Sequence, residues 1–180
     1  YVYGSNDTQQ AENDTVNDYD YIKSLVVLST DDMANWIYHG RIEVDEIAPW
    51  IANSWAPSIV SRVEEDGLTH FYLYFSNGGG VIHTNVPKIA RLGADMLSFD
   101  SEFVSIDAPY FCEASELNYI DGTYYYTYCN DWQNRNKWDR KDIPEPPTCS
   151  MAYMTTKTPL DADSWEYRGA YFYNACLLYT

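Results

Sequence analysis

The sequence is poor in basic residues and has no long apolar runs. Eleven lysines and arginines stand against 27 aspartates and glutamates in 180 residues, which gives a formal net charge of −16. Because binding to a phosphate backbone is driven by cationic side chains that displace counterions, this balance argues against nucleic acid as a partner. No window approaches the roughly 18 to 20 apolar residues that a membrane helix needs, so the sequence predicts no membrane partner.

Cysteine and histidine are scarce and scattered. The four cysteines and three histidines show no spacing typical of zinc ligands, so we assign no metal site and no cofactor. A domain of this size does not depend on a framework of disulfides. Cys129 and Cys149 flank one long loop, and their sulfurs could fall within bridging distance if the flanking strands pair. The sequence leaves that disulfide open, and it leaves the cellular location undetermined, with secretion favoured.

Aromatic and β-branched residues are abundant instead, and they come in short runs. Aromatic residues make up 17% of the chain, with 18 tyrosines and 6 tryptophans. Short runs of this kind, separated by turns, are typical of β-strands and indicate an all-β protein. The segment TDDMANWI, residues 30–37, is too short for a stable helix, and we expect a turn there. The predicted strands are YVYG, SLVVLST, WIYHG, APSIVSRV, HFYLYFSN, KIARLG, FVSIDA, ELNYI, TYYYTYCN, SMAYMTT and WEYRGAYFY.

Two repeated patterns predict how the strands are grouped. W-x-Y-x-G occurs at residues 36–40 and 165–169, each time after a strand and a polar turn. An Asp-Gly turn that leads into an aromatic strand occurs at residues 66–67 and 121–122. Together they describe a unit with an inner strand, an Asp-Gly hairpin, a third strand and an outer strand that carries W-x-Y-x-G. That order is typical of a β-propeller blade.

The chain holds the equivalent of only about two and a half to three such blades, whereas propellers close with roughly four to eight. Residues 1–40 supply three strands without an inner one, and residues 107–173 supply one complete blade. We therefore expect residues 1–180 to form a single partial propeller domain. It is either a fragment or internally shortened form, or a chain that self-associates through exposed strand edges.

One long loop, residues 130–148, joins two strands of the complete blade. It carries tryptophan, several basic residues and several prolines. Loops of this length are usually functional or mobile.

Several stretches of the sequence carry a family resemblance. They are WAPSIV (55–60), FYLYFSNGG (71–79), KIARLGADM (88–96), the run from 107 to 132, and CSMAYMT (149–155). These stretches resemble glycoside hydrolase family 43. The resemblance implies a β-propeller of the five-bladed type, with an oligo- or polysaccharide as substrate and partner. It also implies hydrolysis of arabinofuranosyl or xylosyl linkages in plant cell-wall polysaccharides.

The resemblance further implies a general acid. Family members use three carboxylates. They are an Asp that acts as general base, a second Asp that tunes the pKa and orients the substrate, and a Glu that acts as general acid at the start of a later inner strand. In the family, two small residues follow this Glu, and a Gly nine positions after it opens the hairpin to a tyrosine-rich strand. Glu113, Ala114, Ser115 and Gly122 fit that spacing. The resemblance therefore assigns the acid to Glu113; the alternative is that Glu113 only accepts backbone hydrogen bonds in a tight turn.

At the start of an inner strand, Glu113 would face the central channel, where partial burial would keep it protonated until it donates to the leaving oxygen. Glu116 should point to the opposite face if the strand is regular. Trp55 could stack on a sugar ring, or it could be a core residue between blades. The substrate-binding residues implied by the resemblance are Trp55, Asn77, Ser115 and Trp132.

The other two catalytic carboxylates have no counterpart in the sequence. The family's base lies in an Asp-Pro motif, and no Asp-Pro dipeptide occurs in the chain. Asp100 and Asp107 match neither missing motif. Because inversion needs a base roughly 6.5 to 9.5 Å from the acid, we expect this chain alone to be inactive or nearly so. The alternatives are a non-catalytic carbohydrate-binding propeller and a truncated product without function.

Overall fold

The computed structural model describes residues 1–6, 21–47, 51–77, 86–131, 135 and 137–173. Each segment predicted as a strand overlaps one. The strands are β1 (Val2–Ser5), β2 (Ser24–Ser29), β3 (Ile37–Glu43), β4 (Trp55–Val63), β5 (Thr69–Asn77), β6 (Val86–Arg91), β7 (Val104–Ser105), β8 (Phe111–Ile120), β9 (Thr123–Asn130), β10 (Met151–Thr156) and β11 (Glu166–Phe172). A four-residue helix, α1 (Val44–Ile47), and a 3-10 turn (Ala162–Ser164) accompany them. Within the described ranges, no helix has the length and apolar character needed to cross a membrane.

The strands form three antiparallel sheets, and each sheet uses strands that follow one another along the chain. The first sheet has the order β1-β2-β3, the second β4-β5-β6-β7 and the third β8-β9-β10-β11. This up-and-down order is that of propeller blades. The all-β fold and the partial propeller are therefore confirmed, with a first blade of three strands followed by two blades of four.

The tyrosine-rich strand β9 shows why these sequences form packed blades. Its side chains alternate between the two faces, so that Tyr124, Tyr126 and Tyr128 are fully buried while their neighbours are partly exposed. Asp121 and Gly122, in the turn before it, both have positive φ. A two-residue hairpin turn of this type requires that conformation.

The glycine of W-x-Y-x-G marks a β-bulge in both outer strands. Gly40 and Gly169 have φ angles of +114° and +104°. In each strand the residue between the tyrosine and the glycine is skipped in the register with the neighbouring strand, so it is the extra residue of the bulge. A side chain would be strained at these φ angles, which explains why glycine occurs in both copies.

Two apolar cores hold neighbouring sheets together. The core between the second and third sheets is mainly aromatic and includes Tyr74, Tyr126 and Trp165. The core between the first and second sheets includes Leu25 and Leu73. The first strands of the second and third sheets, β4 and β8, contact each other, as the inner strands of adjacent blades do.

Candidate active site

Two irregularities in β8 determine the position of Glu113. Glu113 pairs with Cys129 on β9, and the register between the two strands shifts both before and after this pair. The next residue, Ala114, has a φ of +54°. Glu113 therefore lies between two bulges. Strand β8 begins at Phe111, earlier than the predicted segment ELNYI, so the glutamate lies within the strand.

The neighbouring inner strand β4 contains a matching irregularity. Its register with β5 shifts between Trp55 and Ser58, and Ala56 has a φ of +44°. Trp55 and Glu113 thus occupy equivalent positions, each directly before an alanine in the left-handed region. Because β4 and β8 contact each other, these two residues lie near the N-terminal ends of adjacent inner strands.

Glu113 is exposed, so the partial burial that the sequence predicted for its carboxyl group is not found. The preceding residues of the same strand, Phe111 and Cys112, are buried, so the exposure is local to this part of β8. Glu116 pairs with Thr127, two positions from the partner of Glu113 on β9. The bulge therefore puts both glutamates on one face of the sheet, and the prediction of opposite faces is wrong because the extra residue shifts the alternation.

A buried cluster of hydroxyl groups joins β8 to the second blade. Ser115 Oγ donates to Tyr74 Oη at 2.5 Å, and Tyr126 Oη donates to the same oxygen at 3.0 Å. Since Tyr74 accepts twice, its own proton goes to Ser76 Oγ, 2.8 Å away. Burial raises the pKa of Tyr74 and of Tyr126, so both phenols keep their protons. The cluster anchors the bulge two residues after Glu113.

The proposed substrate-binding residues differ in their surroundings. Trp55 is buried, with 8% of its surface exposed. Asn77 Oδ1 accepts the backbone N–H of Ala52 at 2.9 Å and of Asn53 at 3.4 Å, which holds the segment that leads into Trp55. The hydroxyl of Ser115 is engaged by Tyr74, and Trp132 lies outside the described residues. Direct contact of these residues with a substrate stays a prediction.

In the described part of the chain, Cys112, Cys129 and Cys149 are not joined in disulfides. Burial raises the pKa of Cys112 to about 12, and the nearby charge of Glu113 adds to the shift. Burial also raises the pKa of Cys129. Both thiols are therefore protonated at neutral pH and poor nucleophiles. Among the described histidine, cysteine, aspartate and glutamate side chains, no group of three or more could hold a metal ion.

The other acids considered from the sequence lie away from the inner strands. Asp100 Oδ1 accepts a hydrogen bond from Arg91 Nε at 2.7 Å and forms an ion pair with it. Asp107 is exposed in the link between β7 and β8. Neither residue lies on β4 or β8. This agrees with the sequence, in which neither residue matches the motif expected around a catalytic base.

Sequence reasoning missed both the paired bulges and the hydroxyl cluster. One signal for the bulges was present, because WAPS at 55–58 and EASE at 113–116 each put an alanine after the first residue and at the start of an inner strand. The hydroxyl cluster had no comparable signal, since Tyr74 and Ser115 are 41 residues apart and meet only when two blades pack.

Comparison with known proteins identifies relatives of this chain, although no family model matches it. Arabinoxylan arabinofuranohydrolases from Paenibacillus polymyxa and Bacillus subtilis strain 168 are each 25% identical to it over 97% of the chain. Among solved structures, a glycoside hydrolase family 43 arabinoxylan arabinofuranohydrolase from Bacillus subtilis has a TM-score of 0.45 at 24% identity, covering 94% of this chain and 49% of that one. An α-L-arabinofuranosidase from Clostridium thermocellum has a TM-score of 0.43 at 21% identity, covering 94% and 68%.

The chain spans 38% and 48% of the lengths of the two curated relatives. The alignment with the Paenibacillus protein extends over 251 positions, whereas the chain has 180 residues. The relative therefore contains internal segments that this chain lacks, which agrees with the low blade count. Over nearly its whole length the chain is therefore similar to arabinoxylan arabinofuranohydrolases, and its all-β blade order agrees with the resemblance to glycoside hydrolase family 43 seen in the sequence.

Proposed function

We propose that residues 1–180 form the partial propeller domain of a glycoside hydrolase that cleaves arabinofuranosyl or xylosyl linkages of plant polysaccharides with inversion. Glu113 is the general acid. The observation that carries this proposal is the conformation of β8, where two bulges hold an exposed carboxylate at the position equivalent to Trp55 on the contacting strand β4. A carboxyl group held in this way is accessible to a saccharide between the inner strands.

In the proposed reaction Glu113 donates one proton. As the bond between the anomeric carbon and the leaving oxygen breaks, the Glu113 carboxyl group donates its proton to that oxygen. A water attacks the anomeric carbon from the opposite face, and a base takes the proton that the water loses. The product sugar has the inverted configuration, and the acid must be reprotonated before the next cycle.

The substrate class is supported by the curated relatives, whose names are those of enzymes acting on arabinoxylan. The net charge of −16 favours a neutral polysaccharide over a polyanion because like charges repel. We therefore assign the uncharged arabinose- or xylose-containing chains as substrate.

A second candidate function is carbohydrate binding without catalysis. It is favoured by one observation, that no Asp-Pro dipeptide occurs in the 180 residues to supply the base. Asp100 cannot replace it freely, because it is paired with Arg91. The two candidates differ in whether the glycosidic bond is cleaved once a nucleophile is supplied.

Azide supplies such a nucleophile. We expect the chain, with 4-nitrophenyl α-L-arabinofuranoside and azide, to release 4-nitrophenol and form an arabinofuranosyl azide of inverted configuration. Azide needs no base, since it is already an anion when its nitrogen bonds to the anomeric carbon and the phenol oxygen leaves. Proton NMR identifies the anomer, and absorbance follows the phenol; the matching xyloside tests the other sugar.

Three results separate the candidates. Inverted product that depends on azide supports the hydrolase, and a product of retained configuration contradicts inversion. Saccharide binding without any glycosyl azide supports the carbohydrate-binding propeller instead.

A further inference from the structure

The long loop between β9 and β10 forms one wall of a cavity that the proposed catalytic site does not use. The cavity has a volume of about 700 Å³. Its other walls are the link that precedes β8, residues 107–110, and the turn before β11, residues 162–165. None of its lining residues lies on the inner strands β4 or β8, so it is separate from Glu113 and Trp55.

Part of the cavity lining is formed by apolar and aromatic side chains. Met154 and Trp165 are buried side chains with 3% and 8% of their surfaces exposed. Trp138 and Tyr110 are partly exposed, and their ring centroids lie 5.5 Å apart. Aromatic faces of this kind pack against the C–H groups of a ligand ring while leaving its polar groups free.

The loop wall is held in place by its own contacts. Trp138 Nε1 donates to the carbonyl of Ile143 at 3.0 Å, and the Trp138 ring packs edge-on against Tyr167 at 5.7 Å. Arg135 Nη1 donates to Asn130 Oδ1 and to the Asp131 carbonyl, each at 3.0 Å. Its guanidinium lies 4.3 Å from the centroid of the Tyr110 ring. A wall fixed before binding costs a ligand less ordering entropy.

The rim of the cavity carries charges of both signs. Asp107, Asp139 and Asp163 provide acceptors, and Lys137 and Arg140 provide donors. Their opposite charges nearly balance, so the rim favours neither a strong anion nor a strong cation. An uncharged ligand with many hydroxyl groups, which both donate and accept, matches this rim.

A buried polar atom lies directly behind the wall. The hydroxyl of Tyr167, a residue 2% exposed, has no hydrogen-bond partner within the described residues. The Arg140 guanidinium lies 5.4 Å from the centroid of its ring, and Trp138 packs on the same ring. Because an unpaired buried hydroxyl is unfavourable, a polar group that enters between Trp138 and Arg140 would be favoured here.

We propose that this cavity is a second saccharide-binding site, which holds a neutral xylan chain by stacking on Trp138 and Tyr110 and by hydrogen bonds to its charged rim. Xylan is chosen as the polysaccharide on the basis of the proposed function, but the site itself does not involve Glu113. It would hold the polymer on the enzyme surface while another part of the same chain occupies the inner strands.

Binding of linear xylohexaose to the whole chain, measured by calorimetry, tests the site. We expect Trp138→Ala to weaken binding at least about tenfold, since truncation of an aromatic anchor costs that much in affinity. Trp36→Ala is the matched control, because Trp36 is 43% exposed and does not line the cavity. Its affinity should stay within about twofold of wild type.

Two further variants keep the outcome decisive. Trp138→Phe retains a ring and should bind within about threefold of wild type, which separates loss of stacking from collapse of the loop. Glu116→Gln, an exposed substitution on β8 outside the cavity, should leave this binding unchanged. Unaltered affinity in Trp138→Ala, equal losses in Trp138→Ala and Trp36→Ala, absence of xylohexaose binding, or preference for an anionic galacturonan would each overturn the proposal. Loss of affinity in Glu116→Gln alone would also overturn it, because the sugar would then be bound at β8 and not in the cavity.

Discussion

In the full-length protein, we expect Glu113→Gln to lower kcat/KM for arabinoxylan oligosaccharides by about 100- to 10,000-fold, the usual contribution of a general acid. Glutamine has nearly the same shape as glutamate but has no acidic proton to donate. A sugar alcohol is a poor leaving group, so its departure depends on that proton. The measurement is steady-state hydrolysis of the oligosaccharide by wild type and variant.

The same variant should lose much less activity on 4-nitrophenyl glycosides, because 4-nitrophenolate leaves without protonation. Glu116→Gln is the matched control. Glu116 is also exposed, lies on the same face of β8 and is three residues away. We expect it to stay within about threefold of wild type on both substrates, as a surface substitution outside the reacting groups does. Equal losses on both substrates would show that Glu113 acts on binding or folding and not on proton transfer.

We expect the free energy of unfolding to fall steeply above about pH 10, the pKa of an unperturbed tyrosine. Burial raises the pKa of each of the buried tyrosines in the described part of the chain, which are Tyr3, Tyr72, Tyr74, Tyr124, Tyr126, Tyr128 and Tyr167. For Tyr167 the pKa rises to about 12. The folded chain therefore keeps these protons at a pH where the unfolded chain loses them.

The sign of the effect follows from proton binding. Below about pH 10 both states hold the protons, so stability is unaffected; above it the unfolded state releases protons first, and folding becomes less favourable as pH rises. Tyr74, Tyr126 and Tyr128 have no exposed surface. At about pH 11 each lowers the free energy of unfolding by roughly 1.4 kcal/mol, or roughly 4 kcal/mol together. This is a large share of the roughly 5 to 15 kcal/mol typical of a domain.

Alkaline titration followed by circular dichroism and by the ultraviolet absorbance of tyrosinate measures this effect. We expect exposed tyrosines to titrate near their ordinary pKa and a second group to titrate only together with the loss of β-sheet signal. If all 18 tyrosines titrate reversibly in one step while the sheet signal persists, the packing between the blades is wrong.

How far the sequence predicts this molecule depends on the range of the interactions that decide each feature. The strands follow from local alternation, as in β9, and the Asp-Gly hairpin follows from the φ angles that Asp121 and Gly122 can adopt. The repeated W-x-Y-x-G pattern predicted the outer strands. All these features depend on residues within one or two strands.

The candidate site depends on contacts between blades, and there the sequence was less informative. A left-handed conformation at Ala114 is unfavourable for an isolated residue, and it persists where the surrounding structure holds it. Here the Ser115–Tyr74 hydrogen bond ties the bulge to the second blade. The face of Glu116 was predicted wrongly because the prediction assumed a regular strand without this bulge.

The exposure of Glu113 has a similar explanation. The sequence resemblance predicted a carboxylate at the start of an inner strand, and β8 is such a strand. Glu113 is exposed whereas Trp55, at the equivalent position of β4, is buried, and the alternation of residues along each strand does not determine this difference.

The central claim is that the Glu113 carboxyl group donates its proton to the glycosidic oxygen of a bound sugar. A crystal structure of the full-length Glu113→Gln variant with an arabinoxylan oligosaccharide tests it most directly. We predict that the side-chain amide at position 113 lies about 2.6 to 3.2 Å from the glycosidic oxygen of the residue to be cleaved, as proton transfer by the native acid requires. A sugar bound between the inner strands with the side chain at position 113 turned away into solvent would contradict the claim.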